Sequence, residues 1–461
     1  MKKIIIDPGI IPSQYIVQAI KACDCKVTLV GGDSIIEKYI TLLPSNNCYN
    51  YSCFKKNKPI KHHKGVSEFY NAVFNNVVSD YKTLQIAERT TNRLMPWDNE
   101  FSGLLLISDL ISNYIDFLIE EKPSWLFFQA TPHEICSWTL GKVAETMGIK
   151  VYMAITTPLP WKSFVTEGLS SPRLIHCENL SNQECNKKLV DEYIIQNSSN
   201  YDEAIPSYEK ERLEARKGKY WSWKKEIKDN IKSPKLLVAM FRKYSLFRYY
   251  QKKSVTSIDI EKKYVVVFLH YQPERTSLPE GRFFTQQYNL IKTLRYGLPD
   301  NYMIYVKEHP SMFTCYMDIR YRNKEFYSRV SSLPNVELVN IGIDSFTLTD
   351  HSVAIATITG TVGLQSFIRG KSVLCFGDAS YVDFDYCFNI NFSEDVASAL
   401  RIIEKTNNRE ITEKFKEYLY AIDKVSLSGI EESTNCPIDY YNQEYRLISN
   451  GKVLLYLLTN P

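Results

Sequence analysis

The sequence lacks any uninterrupted apolar stretch of about 20 residues, the length an α-helix needs to cross a bilayer, so we expect no membrane-spanning helix. We expect no secretory signal either, because the apolar run after the first lysines is only Ile4-Ile5-Ile6, too short for a signal's hydrophobic region. These absences predict a cytoplasmic protein, leaving open a peripheral position at the inner face of the cell membrane.

Cysteines with a disulfide or zinc rhythm are also missing. The eleven cysteines are an odd number, and only Cys23 and Cys25 lie close together, without the second pair that a zinc site needs. We therefore expect reduced thiols and no metal site. The formal net charge of +4 is too small to indicate nucleic acid binding, so no nucleic acid partner is expected.

The chain has the length and composition of a folded protein with two domains. It contains 461 residues, of which 44% are hydrophobic and 23% charged, values typical of globular proteins. Short apolar runs alternate with helical periodicity over residues 1–160, and the same alternation resumes from Tyr264. This pattern predicts an α/β fold of two doubly wound, Rossmann-like domains facing each other across a cleft.

The alternation also sets the expected domain boundaries. Four segments are expected: a Rossmann-like acceptor-side domain over 1–160, a connecting region with a basic, aromatic helical insertion over 161–260, a Rossmann-like donor domain over 261–430, and a C-terminal helix within 431–461 that returns to the first domain.

Two segments in the second half carry the strongest functional signal. Tyr305–Pro310 reads as a buried strand that ends in Lys307, Glu308 and His309, and Thr357–Gly363 reads as a strand-to-helix turn rich in threonine and glycine. Such a turn can hold a phosphate through backbone amides and hydroxyls, and a nearby lysine and histidine add charge. The threonine turn alone is equally compatible with an ordinary helix cap. Together, the two segments favour a nucleotide-sugar site.

A third segment of interest lies in the first half. Gln129–Glu134 follows a predicted strand and leads into a helix whose first turn carries His133 and Glu134. Ligands of doubly wound sheets bind beyond the carboxyl ends of strands, which points to these two side chains. A carboxylate in a first turn also serves as a plain partner of the helix dipole.

Residues 209–254 form a basic segment, with fifteen Lys or Arg against five Asp or Glu, interleaved with aromatic residues. This composition suits an anionic membrane surface or an anionic glycan. A solvated helical insertion is the alternative.

The segments of the second half resemble bacterial capsule and surface-polysaccharide glycosyltransferases of the Kdo-transferase type, which use CMP-activated acid sugars and have a GT-B-like fold. The resemblance covers roughly residues 262–392 and the 131–134 turn. It is carried by His270–Glu274, Tyr305–Pro310, Thr359–Gln365 and Gly370–Gly377 with Tyr381.

The resemblance implies roles for these residues. Lys307 and His309 would lie by the donor phosphate and the sugar carboxylate, with Glu308 beside them. Thr359, Gly360 and Thr361 would hold the CMP phosphate, and His270, Gln272 and Glu274 would line the same site. Gln365 stands where many such enzymes have a ribose-binding glutamate. The CMP sugar is then the donor substrate, a surface glycan is the acceptor, and no cofactor or metal is expected, since a CMP sugar has one phosphate.

The transfer reaction also needs a side chain that removes the proton of the acceptor hydroxyl or attacks the sugar. We predict Glu134 with His133 as helper, and Asp202 or Asp229 as the alternative carboxylate. The resemblance favours a retaining reaction. Two other readings remain: a phosphotransferase of the CDP-glycerol type, and a non-catalytic protein that docks on a glycan or membrane.

Overall fold

The computed structural model describes most of the chain. The described residues are 2–9, 13–43, 47–55, 67–94, 101–169, 172–175, 185–199, 222, 224, 227–228, 234–272, 274–314, 322–430 and 443–459. Within them the chain divides into two compact units. Unit 1 comprises Met1–Asn186 and Tyr420–Pro461, and unit 2 comprises Lys187–Leu419.

The elements are numbered along the whole chain. The strands are β1 (Lys2–Asp7), β2 (Cys25–Gly31), β3 (Asn47–Asn50), β4 (Trp125–Phe128), β5 (Lys150–Thr156), β6 (Lys162–Glu167), β7 (Arg173–Ile175), β8 (Tyr264–Phe268), β9 (Met303–Lys307), β10 (Val336–Val339), β11 (Ala354–Thr357), β12 (Ser372–Cys375), β13 (Cys387–Asn389) and β14 (Leu427–Ser428).

The α-helices of the described residues follow the same order. They are α1 (Gln14–Lys21), α2 (Asp33–Leu42), α3 (Tyr51–Phe54), α4 (Ser67–Ser79), α5 (Tyr81–Leu94), α6 (Phe101–Glu121), α7 (Ile135–Thr146), α8 (Lys187–Ser199), α9 (Pro234–Lys253), α10 (Gln287–Gly297), α11 (Ser311–Thr314), α12 (Lys324–Ser331), α13 (Ser345–Asp350), α14 (Val362–Ile368), α15 (Ser393–Ile403), α16 (Asn408–Val425) and α17 (Gln443–Thr459).

Unit 1 contains a sheet in the order β14-β6-β5-β4-β1-β2-β3, with β7 also paired to β6. The strands from β3 to β5 run parallel, whereas β6 pairs antiparallel with β5, β7 and β14. The parallel part therefore has the strand order 3-2-1-4-5 of a doubly wound fold, with its switch point between β1 and β4.

The C-terminal helix α17 packs in unit 1. Val453, Leu454 and Leu457 belong to the same buried cluster as Ile4 of β1. The helix α17 approaches α1 closely at Gly451, where a side-chain methyl group would lie 2.5 Å from the Tyr15 side chain. Residues 161–169 and 172–175 also belong to unit 1, where β6 extends the sheet, whereas we had expected them in the connecting region.

Unit 2 contains a six-stranded, all-parallel sheet in the order β10-β9-β8-β11-β12-β13. Numbered within the unit, this is the order 3-2-1-4-5-6, with the switch point between β8 and β11. The β8 sequence Tyr-Val-Val-Val-Phe suits a strand covered on both faces, because β-branched and aromatic side chains pack well there. The helix α10 buries Leu290, Ile291 and Leu294 against this sheet, which is the spacing of an amphipathic helix.

The predicted fold class is confirmed: both units are doubly wound α/β structures. In the parts of the chain that the structure describes, no helix combines the length and the apolar character that crossing a bilayer requires.

Candidate functional site

The strand order of unit 2 brings the predicted donor-site segments to one edge of its sheet. Since β8 lies between β9 and β11, their carboxyl ends are neighbours. Leu269–Tyr271 follow the end of β8, Glu308–His309 follow the end of β9, and Ile358–Thr361 follow the end of β11. The edge therefore collects the histidines and the threonine turn that the sequence singled out.

His270 lies buried at the switch point, beneath the threonine turn. Its Nε2 accepts the Thr359 amide N–H at 3.2 Å and is 3.0 Å from Thr357 Oγ1. Its Nδ1 lies 3.4 Å from the Thr276 hydroxyl, which in turn donates to Glu274. Because Nε2 accepts an amide, the proton is on Nδ1.

The environment of His270 keeps the ring neutral. Burial, together with the charges of His309 and Arg322, lowers its pKa to about 3. His270 was expected to line the donor site, but its ring is instead a neutral support that holds the threonine turn in place.

The threonine turn is fixed by further hydrogen bonds. Thr359 Oγ1 donates to the Thr276 carbonyl at 2.9 Å, and the Gly360 amide donates to Thr357 Oγ1 at 3.3 Å. The Tyr381 hydroxyl donates to the Gly360 carbonyl at 2.6 Å. A methyl group on Gly363 would come within 2.4 Å of that hydroxyl, so the position requires glycine.

Thr361 differs from its neighbours in the turn. It is exposed and precedes α14, and its side chain makes no capping hydrogen bond. Gln365, one turn further along the helix, is half-buried. Since the amides of Thr359 and Gly360 are bonded within unit 2, a ligand at this turn would meet the hydroxyl and amide of Thr361.

Lys307 does not reach outward from the strand end, as the sequence had led us to expect. Its ammonium group is buried and donates to the Ile343 carbonyl at 2.5 Å and to Ser345 Oγ at 2.7 Å. Burial lowers the pKa of Lys307 to about 8, although Asp344 opposes this shift. Lys307 therefore joins β9 to the start of α13 instead of contacting a donor phosphate.

Glu308 and Gln272 are likewise turned inward, around a residue that the sequence analysis missed. Arg322 donates through Nε to Glu308 Oε2 at 2.7 Å and through Nη1 to Gln272 Oε1 at 2.9 Å. The Glu308 and Arg322 side chains are 0% and 1% exposed, and Tyr327 also donates to Glu308. Both predicted donor-site residues are thus parts of a buried polar network. Arg322 stands fourteen residues after Glu308, and nothing in that spacing signals the pair.

His309 remains accessible at the same edge. It is half-buried, and its Nδ1 accepts the Ser311 amide at 3.1 Å, which leaves Nε2 to carry the proton in the neutral ring. The His309 amide donates to Glu308 Oε1 at 2.9 Å, so the buried network positions it. Glu274 is exposed. His309, Glu274 and Thr361 are therefore the predicted residues best placed to meet a ligand in unit 2.

In unit 1, His133 and Glu134 follow β4 at the switch point. Glu134 is the N-cap of α7 and makes no side-chain capping bond, and its side chain is 43% exposed. His133 Nε2 lies 4.0 Å from Glu134 Oε1, and His133 Nδ1 lies 3.2 Å from the Thr131 carbonyl. Both residues thus lie just before the first turn of α7, whereas we had predicted them within that turn. The alternative carboxylates, Asp202 and Asp229, lie outside the described residues.

A second carboxylate at this switch point escaped the sequence analysis. Asp7 ends β1, next to the end of β4, and is buried. Its signal was present: an aspartate that directly follows the run Ile4-Ile5-Ile6 and precedes Pro8-Gly9. Sequence reasoning used this run only to place the first strand.

The chain contains one Asp-x-Asp spacing, Asp383-Phe384-Asp385, with both carboxylates exposed and Phe384 buried. Within the described ranges, His, Cys, Asp and Glu side chains form no group of three that could hold a metal ion.

Comparisons with known proteins agree with the resemblance seen in the motifs. Residues 262–384 match the family model described as capsule polysaccharide biosynthesis protein. This stretch contains β8 to β12, His270, His309 and the threonine turn. The predicted family resemblance is confirmed for this part of the chain. No curated protein sequence matches the chain.

Several solved structures align with the chain at low similarity. The KpsC β-Kdo 2,7-transferase of Thermosulfurimonas dismutans aligns with 14% identity and a TM-score of 0.30, over 73% of this chain and 88% of that one. The KpsC β-Kdo 2,4-transferase of the same organism gives 15% and 0.26, over 62% and 85%. The UDP-GlcNAc 2-epimerase of Methanocaldococcus jannaschii gives 12% and 0.25, over 91% and 100%.

Proposed function

We propose that this protein is a glycosyltransferase of capsule or surface-polysaccharide synthesis that transfers Kdo or a related nonulosonic acid from its CMP donor to a glycan acceptor, with retention of configuration. The observation that carries the proposal is the threonine turn at the switch point of unit 2, within the segment that matches the capsule polysaccharide family. That edge is where ligands of doubly wound sheets bind.

The residues at this edge suit a donor with a phosphate and a carboxylate. Thr361 supplies a hydroxyl and an amide for the CMP phosphate, and His309 supplies a ring N–H, or a cation when protonated, for a neighbouring anionic group. The buried Lys307 and Arg322 hold the end of β9 in place through their hydrogen bonds to Ser345 and Glu308. Protein N–H and O–H groups that are held in position before the CMP sugar binds can stabilise the charge of the departing phosphate. The protein then need not rearrange during the reaction.

Glu134 and His133 are the groups that we assign to the acceptor side of the reaction. Their position after β4 places them at the switch point of unit 1. A carboxylate there serves either to accept the acceptor proton or, in a retaining reaction through a covalent intermediate, to attack the anomeric carbon. We propose that transfer proceeds without a metal ion.

The donor assignment is tested by incubating the full chain with CMP-Kdo, CMP-nonulosonic acids, UDP sugars or GDP sugars and an oligosaccharide acceptor. CMP release with a glycosidic product is expected, and it should persist with EDTA. Turnover of a UDP or GDP sugar without CMP release would reject the donor, and a phosphodiester product would reject the reaction class.

We also propose that the basic segment 209–254 contacts the anionic inner face of the cell membrane. Most of residues 209–233 lie outside the described residues, and α9 is the helix of this segment that the structure describes. Its exposed side carries the apolar residues Val238 and Phe241, 51% and 57% exposed, and the cations Arg242, Arg248 and Lys252. Its opposite side is buried in unit 2, where Met240, Leu246 and Phe247 join the core. An apolar and basic stripe on an otherwise anchored helix suits an anionic lipid surface.

Sedimentation with vesicles tests this contact. Vesicles with anionic lipid should bind the protein more strongly than neutral ones, and added salt should weaken the binding. A Phe241→Ser/Arg242→Ser variant should lose it. Equal binding to neutral vesicles would remove the electrostatic argument.

A further inference from the structure

A groove opens on the antiparallel side of the unit 1 sheet, between strands β5 to β7 and helix α17. Its volume is about 410 Å³, within the range of roughly 300–1,000 Å³ that is typical of small-molecule sites. The residues that line it include Tyr152, Glu167, Arg173, Ile175, Tyr456 and Leu457. All of them belong to unit 1, so the groove is complete within that unit.

The strand register brings three of these side chains into one row. In the antiparallel pairing Tyr152 is opposite Glu167, and Glu167 is opposite Arg173. Residues directly opposite each other project from the same face of a sheet, with Cβ atoms about 5 Å apart. A phenol, a carboxylate and a guanidinium group therefore stand side by side across three strands. They share the face on which α17 packs, because Tyr152 contacts the buried cluster that contains Leu457.

These polar groups retain hydrogen-bonding capacity for a ligand. Glu167 Oε2 lies 3.6 Å from Arg173 Nη2, so the ion pair is longer than a hydrogen bond. Within the described ranges, neither the Glu167 carboxylate nor the Tyr152 hydroxyl takes part in a hydrogen bond. The side chains of Arg173 and Glu167 are 78% and 26% exposed, so a ligand in the groove can reach both.

The composition of the groove favours a saccharide. The charges of Glu167 and Arg173 offset each other, so net charge attracts neither a phosphate nor a metal ion. Sugar hydroxyls can donate to the carboxylate and accept from the guanidinium. The two tyrosines add aromatic surface that suits the apolar C–H face of a sugar ring. A lipid tail, in contrast, would leave both charged groups without polar partners.

The groove is distant from the edge to which we assign the acceptor chemistry. Tyr152 lies four residues before Thr156, the last residue of β5, which corresponds to about 13 Å at the rise of a strand. His133 and Glu134 follow the neighbouring strand β4 at that carboxyl edge. A sugar in the groove is therefore a different part of the chain from the sugar that reacts.

We propose that this groove binds a non-reacting segment of the glycan acceptor. The Glu167 carboxylate accepts from sugar hydroxyls, the Arg173 guanidinium donates to them, and the tyrosines pack against the rings. A second binding site on the same chain adds affinity for long acceptors and none for short ones. This inference rests on the proposed function, which supplies a glycan as the ligand.

Calorimetric titration of the full chain without a CMP sugar tests the groove directly. The probe is capsule polysaccharide from the producing cell, cut by mild acid and separated by length. Long fragments should bind the wild type, and Arg173→Ala or Glu167→Gln should each raise Kd roughly tenfold, as expected for losing hydrogen bonds to a charged group. Lys188→Ala is the matched control, because it breaks an ion pair of similar exposure, with Glu192 on α8, and should leave Kd unchanged.

Acceptor length supplies a kinetic readout. The wild-type KM should be lower for long fragments than for short ones, and Arg173→Ala should reduce this difference without lowering the melting temperature, since its side chain is largely exposed. Absence of binding by the wild type, or an equal Kd in wild type, Arg173→Ala and Glu167→Gln, would overturn this inference alone. Failure to turn over any CMP sugar would reject the proposed function, whereas the titration, which needs no donor, would still decide whether the groove binds glycan.

Discussion

His270 Nε2 accepts the backbone amide of Thr359 at 3.2 Å, across the switch point of the unit 2 sheet. The bond joins the end of β8 to the turn after β11, two segments 89 residues apart in the chain. It needs a neutral ring, and the low pKa of His270 ensures one throughout the physiological range.

His270→Gln should therefore retain most of the donor affinity, because the glutamine oxygen can take the position of Nε2. His270→Phe should weaken donor binding roughly tenfold to a hundredfold, since the Thr359 amide loses its partner. Calorimetric titration with CMP measures both. The pH profile of kcat between 5 and 8 should be the same in His270→Gln as in the wild type. A shifted midpoint in that variant would show that His270 titrates during catalysis.

The buried pair of Arg322 and Glu308 yields a prediction about stability. Arg322→Met or Glu308→Gln leaves the partner's charge buried without compensation, a change that typically costs about 3–5 kcal/mol. The double variant should lose less than the sum, because no charge is left behind. Urea unfolding followed by circular dichroism gives these values.

An exposed pair supplies the control for this prediction. Arg409 and Glu413 on α16 are 84% and 63% exposed, and Arg409→Met should change the unfolding free energy very little. Equal losses for Arg322→Met and Arg409→Met would contradict the network assignment.

The hydrogen bonds of the threonine turn predict different effects on stability for two similar substitutions. Thr361→Val removes an exposed hydroxyl that makes no capping bond, so it should weaken CMP binding roughly threefold to tenfold without lowering the melting temperature. Thr359→Val removes a hydroxyl bonded to the Thr276 carbonyl, so it should lower stability as well. Calorimetric CMP titration and thermal unfolding of each variant distinguish the two. Our division of roles fails if Thr361→Val leaves CMP affinity unchanged.

The sequence was sufficient to predict the strands of the unit 2 sheet and the edge at which the candidate site residues meet. Strands such as β8 and β11 are short β-branched or apolar runs between helical segments, and this pattern depends only on local residues. The carboxyl ends of such strands are where polar side chains collect, so His309 and the threonine turn were found in this way.

The direction in which individual side chains point was not predictable. Lys307 turns inward because Ile343 and Ser345 supply acceptors, and these residues are 36 and 38 positions further along the chain. Arg322 engages Glu308 and Gln272 through tertiary contacts that no spacing rule describes. The antiparallel pairing of β5 with β6 likewise extended unit 1 beyond the expected boundary. Local pattern fixes the element, whereas partners distant in sequence fix the orientation of its polar groups.

The buried ammonium of Lys307 should make the stability of unit 2 depend on pH. Burial lowers its pKa in the folded state to about 8, from the usual lysine value of 10.5. Between these two pH values the Lys307 amine is protonated in more of the unfolded chains than of the folded ones, so raising the pH stabilises the fold. The Lys307→Met variant lacks this amine and therefore lacks this pH-dependent contribution to stability. The wild type should therefore gain up to about 3 kcal/mol relative to Lys307→Met as the pH rises from 7 to 10.5. Urea unfolding at both pH values, with Lys252→Met as an exposed lysine control on α9, measures the difference. If wild type and Lys307→Met change in parallel, the ammonium of Lys307 is solvated and the inward orientation is wrong.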